Sequence, residues 1–184
     1  MSTVWERCLC VVGFVAAAAA AVLVPIMRFD FRSQGEAGVE DVSIGRLIEA
    51  ATHTPQGWGY ATPGTGLSFF VLFALFAAAW SAGVRSFAWA AGWGLVALAT
   101  TVFVGYGTPA TLEGRMREFR GPDAPLDIPP HLFPEFGVLA GHLWTVAAVM
   151  ALPVALCVWR HLATRSTDPS PEDLGGGQVR AGGA

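Results

Sequence analysis

His142 is the only ionisable residue clearly inside an apolar stretch of this 184-residue chain, in the run 136–159. An ionisable group in hydrocarbon is expensive, which makes it a functional candidate by default. Glu135 lies seven residues earlier. On one continuous helix both side chains would point the same way. His131 and Asp127 stand just upstream. These four residues could build a proton relay, a haem site or a metal site. A haem held by two histidines needs a second intramembrane histidine, and the sequence has none. The structural reading competes: His142 neutral and bonded to a carbonyl or to Thr145, and Glu135 placed favourably at a helix N-terminus. His131 precedes Pro134, which works against a regular helical ligand pair with Glu135.

Other chemistry finds little support. Cys8 and Cys10 are two apart, so they face different sides of a helix, and Cys157 lies near the other end of the chain. No CxxC or Cys/His spacing of a zinc or redox motif is present. No nucleophile has a convincing base beside it, and no glycine-rich phosphate loop follows a strand. We therefore expect no metal and no cofactor. The net charge of −3 gives no reason to expect nucleic acid as a partner.

The elements that would position these residues are helical and apolar. Hydrophobic residues make up 53% of the chain and charged residues only 14%, with a mean hydropathy of +0.50. A soluble domain carries about 25% charged residues. Four apolar runs, 8–26, 66–83, 87–106 and 136–159, are each long enough for a helix to cross about 30 Å of hydrocarbon. The expected fold is therefore an all-α integral membrane protein, a four-transmembrane-helix bundle occupying 1–166. The first run also offers small-residue cleavage sites at 16–21, as a signal peptide would. Its continuation through Val22, Leu23 and Val24 to Ile26 favours an anchor. Only 81–86 separates the second and third runs, which sets them as an antiparallel hairpin. Pro134 suits the first turn of the fourth helix, where its missing N–H costs nothing. Pro153 is expected to kink that helix.

Two longer loops, 27–65 and 107–135, join the helices on the opposite side. Each is expected to hold a short amphipathic helix. Ser43 can cap one with Ile44, Leu47, Ile48 and Ala51 on one stripe. Thr111 can cap another with Leu112, Met116 and Phe119, and Glu113 and Arg117 forming a polar-side pair. The tail 167–184, rich in Pro, Gly and Ser, is expected to be disordered.

Small residues recur at spacing four on every run, as helices in lipid need for close approach. The rows are Gly13, Ala17 and Ala21; Ala74, Ala78 and Ala82; Ala97, Thr101 and Gly105; and Gly137, Gly141 and Thr145, with Ala147, Ala151 and Ala155 on a second face. Tryptophans 5, 80, 89, 144 and 159 fall near run ends, where amphipathic rings anchor at the interface.

Every basic residue is arginine, and alanine and glycine abound, which suggests a bacterial source of high GC content. Arg7, Arg85 and Arg160 abut the apolar runs on the side of the termini, which points to both termini in the cytoplasm. There Cys8, Cys10 and Cys157 are expected to be free thiols. Four spans with a long first and a shorter second outer loop resemble the claudin-like outline. The Trp and paired-Cys pattern of that family's first outer loop is not met, because 27–65 contains no cysteine, and no family is assigned. The leading expectation is a non-enzymatic accessory or scaffold subunit of the bacterial inner (plasma) membrane. Its partners would be the lipid bilayer and other membrane subunits or further copies of itself. The alternatives are a redox or proton-relay enzyme subunit using Glu135 and His142, and a small oligomeric transporter.

Overall fold

The computed structural model describes residues 3–30, 38–53, 63–118 and 135–166. The order of elements is α1 (Thr3–Leu23), β1 (Met27–Asp30), β2 (Val39–Val42), α2 (Ile44–His53), α3 (Pro63–Val84), α4 (Phe87–Glu118), β3 (Glu135–Val138) and α5 (Ala140–Arg165). Four of the helices are long and apolar enough to cross a membrane: Val4–Leu23, Gly66–Val84, Phe87–Arg115 and Ala140–Arg165. They close a ring in which α1 and α4 each pack against both α3 and α5. Sequence neighbours run antiparallel, and so do α1 and α5. The termini and the α3–α4 turn therefore share one end, and the strands share the other.

The interior is built from small and aliphatic side chains. Ala17, Ala21, Ala74, Ala78, Ala82, Ala97, Val71 and Val146 have no exposed surface. Two buried hydroxyls bond to their own helices, Ser68 Oγ to Gly64 O at 2.7 Å and Thr101 Oγ1 to Ala97 O at 2.8 Å, while Thr108 Oγ1 is buried without a partner. Gly94 marks the tightest crossing. A Cβ there would lie 2.5 Å from Val154 Cγ2 and 2.9 Å from Phe14 Cε1, so α1, α4 and α5 meet at its missing side chain. Ser86 starts α4, its Oγ accepting from Trp89 N at 3.3 Å in the manner of an N-cap.

The strands were not expected. They form one antiparallel sheet in the order β2-β1-β3. Its ladder begins where α1 ends: Ile26 N donates to Val42 O at 3.0 Å, and Leu139 N donates to Ile26 O at 2.9 Å. Met27 and Phe29 turn one way and Arg28 the other, as strand alternation requires. Met27 and Val42 are buried toward the helices. The rings of Phe29 and Phe136 meet edge to face, 5.1 Å between centroids. Residues 135–138 thus leave the fourth helix, which starts only at Ala140. Their backbone groups pair with β1, and Pro134, expected in the first turn of the fourth helix, lies outside the described residues.

The helix expected after Ser43 forms over Ile44–His53. Ser43 Oγ accepts from Arg46 N at 3.3 Å and donates to Val22 O at 2.6 Å, which caps α2 and ties it to the end of α1. A Cβ on Gly45 would lie 2.6 Å from that same Val22 carbonyl, so only glycine allows the approach. Ser43→Ala removes both bonds and is expected to cost about 1 kcal/mol, within the usual range for lost caps. A denaturant titration in detergent measures it, and a variant as stable as the parent would show that the bridge contributes nothing.

The helix expected to begin at Thr111 does not begin there. α4 continues unbroken through Pro109 to Glu118, and Thr111 Oγ1 bonds back to Gly107 O at 2.7 Å within it. Leu112 is buried, while Phe119 and the side chains of Met116 and Arg117 lie outside the described residues. The tail from 167 also lies outside them.

Candidate functional site

Charged side chains gather at the two ends of the bundle, and the middle of each apolar helix carries no Asp, Glu, Lys or Arg. At the strand end, His142 lies in the first turn of α5, since that helix starts at Ala140. This is shallower than the two turns expected from the sequence. The ring is exposed, and its Nδ1 lies 3.1 Å from Pro25 O, at the end of α1. A carbonyl can only accept, so Nδ1 carries the hydrogen in this bond. Thr145 bonds to Gly141 O of its own helix instead of to His142.

Glu135 is not on the helix of His142. It opens β3, opposite Asp30 at the far end of the sheet. Four strand residues at about 3.3 Å each put roughly 13 Å of chain between Glu135 and the start of α5. The two-turn alignment of Glu135 with His142 is thereby lost, because sheet pairing replaces the helix that would have created it. His131 lies outside the described residues. Gly137 pairs with Arg28 in the sheet, so it belongs to no helix-packing row. Gly141 is exposed and a Cβ on it would meet nothing within 4 Å. Gly141 therefore packs against no described helix of its own chain. Its row was phased on a helix starting near Pro134, and the real helix turns that face outward. Ala74, Ala78 and Ala82 lie fully buried on α3.

Beside His142, Arg28 spans β1 to β2 with two bonds to the Asp41 carboxylate, at 2.7 and 3.0 Å. The Arg28 hydrogen bond is the main reason that the Asp41 carboxyl lies below the usual carboxylate range. Partial desolvation opposes it, and the charges of Arg28 and His142 add to it. A depressed folded value means that the pair steadies the hairpin above the ordinary aspartate range. That support is lost as pH falls through the folded value. An NMR titration of Asp41 should therefore show a lower midpoint in the parent than in Arg28→Gln. Equal midpoints would remove Arg28 as the cause.

The terminal end holds a second constellation that sequence reasoning missed. Glu6 in the first turn of α1 and Arg160 near the end of α5 form an ion pair with little exposure on either side. The Arg160 guanidinium also stands over the Trp159 ring at 5.3 Å, and its Nε is buried without a partner. One turn deeper, Cys10 and Cys157 are fully buried. Arg7 reaches across to the end of α3, donating to Ala82 O at 3.1 Å and Gly83 O at 2.9 Å. It also stands over the Phe87 ring. The signal was available in the spacing. Glu6 and Cys10 are i, i+4, and Cys157 and Arg160 are i, i+3, each pair on one helix face. Once α1 and α5 lie antiparallel, 6 meets 160.

No family model matches this chain, and neither curated proteins nor solved structures provide a match. The functional reading therefore rests on the chain's own residues. Among the described residues, no group of three or more His, Cys, Asp or Glu side chains is arranged to hold a metal ion.

Proposed function

We propose that this chain is a multi-pass protein of the bacterial inner (plasma) membrane, with both termini cytoplasmic, that serves as a non-enzymatic accessory or scaffold subunit. The observation that carries this reading is an aromatic stripe on α3. Phe69, Phe73, Phe76 and Trp80 are all exposed, between 46% and 70%. Their spacing of four, three and four keeps them on one face, the period by which helices associate side by side. Phe76 also borders an apolar groove between α1 and α3 of about 520 Å³, lined by Ala18, Ala19, Leu72 and Leu75. Within the bundle, by contrast, Ser68 and Thr101 bond to carbonyls of their own helices, and Glu6 pairs with Arg160 at the terminal end. The short sheet and α2 would then form an outer cap that fixes the helix ends.

The test is isolation of the tagged full chain from its own membranes in a mild detergent, followed by mass spectrometry of what accompanies it. A stoichiometric membrane subunit or a second copy is expected, and Phe73→Ala with Phe76→Ala should release it while the chain stays folded. A monodisperse single copy in every detergent tried, or a stoichiometric chromophore with no partner, would overturn the reading.

A further inference from the structure

The two ends of the bundle treat their arginines differently. At the strand end Arg28 is paired with Asp41, and Arg46 with Glu49 and Glu40. At the terminal end Arg7, Arg85, Arg160 and Arg165 share a single described carboxylate, Glu6, which pairs with Arg160. Arg85, in the α3–α4 turn, and Arg165, the last residue of α5, are exposed, and neither meets a carboxylate among the described residues. Arg7 is half-buried on α1 and donates from Nη1 to the carbonyls of Ala82 and Gly83. Those acceptors are neutral, so they leave its charge uncancelled while holding it against the turn that carries Arg85. Four tryptophans mark the same end, one from each long helix: Trp5, Trp80, Trp89 and Trp159 are all exposed, between 54% and 60%. We propose that this end binds the headgroups of anionic phospholipids in the surrounding leaflet, with Arg7 and Arg85 forming the contact site. The inference rests on the membrane-spanning reading above and is independent of the scaffold role.

Depth and charge both select this ligand. Exposed indole rings settle at the boundary between acyl chains and headgroups. Arg85 lies five residues past Trp80, and Arg165 six past Trp159, which at 1.5 Å per residue is roughly 8–9 Å further out, in the layer of phosphates. Four arginines against one glutamate leave the described part of this end at +3. An anionic leaflet attracts each such arginine. A guanidinium also presents a planar fork of donors that matches two oxygens of one phosphate. Phosphatidylglycerol offers that phosphate with its full negative charge, whereas the choline of phosphatidylcholine offsets it. The competing anions within the chain are Asp168, Glu172 and Asp173 of the tail, which lies outside the described residues.

The full chain is first reconstituted into vesicles and washed with alkaline carbonate. It is then titrated in micelles with phosphatidylglycerol or phosphatidylcholine of identical acyl chains, and native mass spectrometry reads the Kd of the first lipid bound. Phosphatidylglycerol is expected to bind more tightly. Arg85→Gln, which breaks no side-chain bond to a described residue, should weaken that lipid about fivefold and phosphatidylcholine much less. Arg7→Gln should act by a similar factor. Arg46→Gln, at the strand end, should leave both constants unchanged. Equal constants for the two lipids in the parent chain overturn the inference alone, as they would if the tail carboxylates held these arginines. A preference that Arg85→Gln leaves intact overturns it equally. A chain that carbonate strips from the vesicles overturns the membrane reading and this inference with it. Arg85→Gln decides the matter even if Arg7→Gln does not fold.

Discussion

Arg160→Met is expected to destabilise the folded chain by about 3–5 kcal/mol, because it leaves the Glu6 carboxylate enclosed without its cation. The Glu6 and Arg160 side chains are only 11% and 20% exposed, so water replaces little of the lost attraction. The pair also suits both helix dipoles, with an acid at the start of α1 and a base near the end of α5. Removing both charges is a different experiment. Glu6→Met with Arg160→Met should come back close to the parent, because two apolar side chains of similar size need no partner. Reversible unfolding in mixed micelles measures all three variants. Single and double variants that lose the same stability would show that packing, not the ion pair, dominates this contact.

Gly94→Leu is the second large effect. Its first added carbon would sit inside the contact distance of Val154 and Phe14, and neither neighbour is at liberty to move in a junction of three helices. Overpacking of this kind typically costs about 1–3 kcal/mol. Gly105 presents a similar case against Leu143, at 2.8 Å. Gly141→Leu is the control. With open space around it, the change should fall within about 0.5 kcal/mol of the parent. Equal losses at 94 and 141 would mean that the helices are phased differently about their axes.

These contrasts show where the sequence is legible. Long apolar helices announce themselves, because around twenty uncharged residues in a row have few other readings. The cap at Ser43 is legible for a local reason, a hydroxyl beside an apolar stripe. The strands are not. Met27–Asp30, Val39–Val42 and Glu135–Val138 are four residues each, too short for alternation to stand out from a loop or a helix end. Missing β3 moved the start of the fourth helix by several residues. That shift set Glu135 on the wrong element and turned Gly141 to the wrong face. Thr111 misled for a related reason: its hydroxyl type suits a cap, but it sits after Pro109 in a helix that does not stop there. The Glu6–Arg160 contact depends on which helices are neighbours, which periodicity within single helices does not reveal.

If the four long apolar helices cross a membrane, the strands and the termini lie on opposite sides of it. Labelling of single cysteines by a membrane-impermeant maleimide, in intact bacterial cells and in a cysteine-free chain, tests it most directly. Glu40→Cys on β2 should label from outside, while Arg85→Cys in the α3–α4 turn and Arg165→Cys at the end of α5 should label only after the membrane is opened. Labelling of 40 and 85 from the same side would contradict the account.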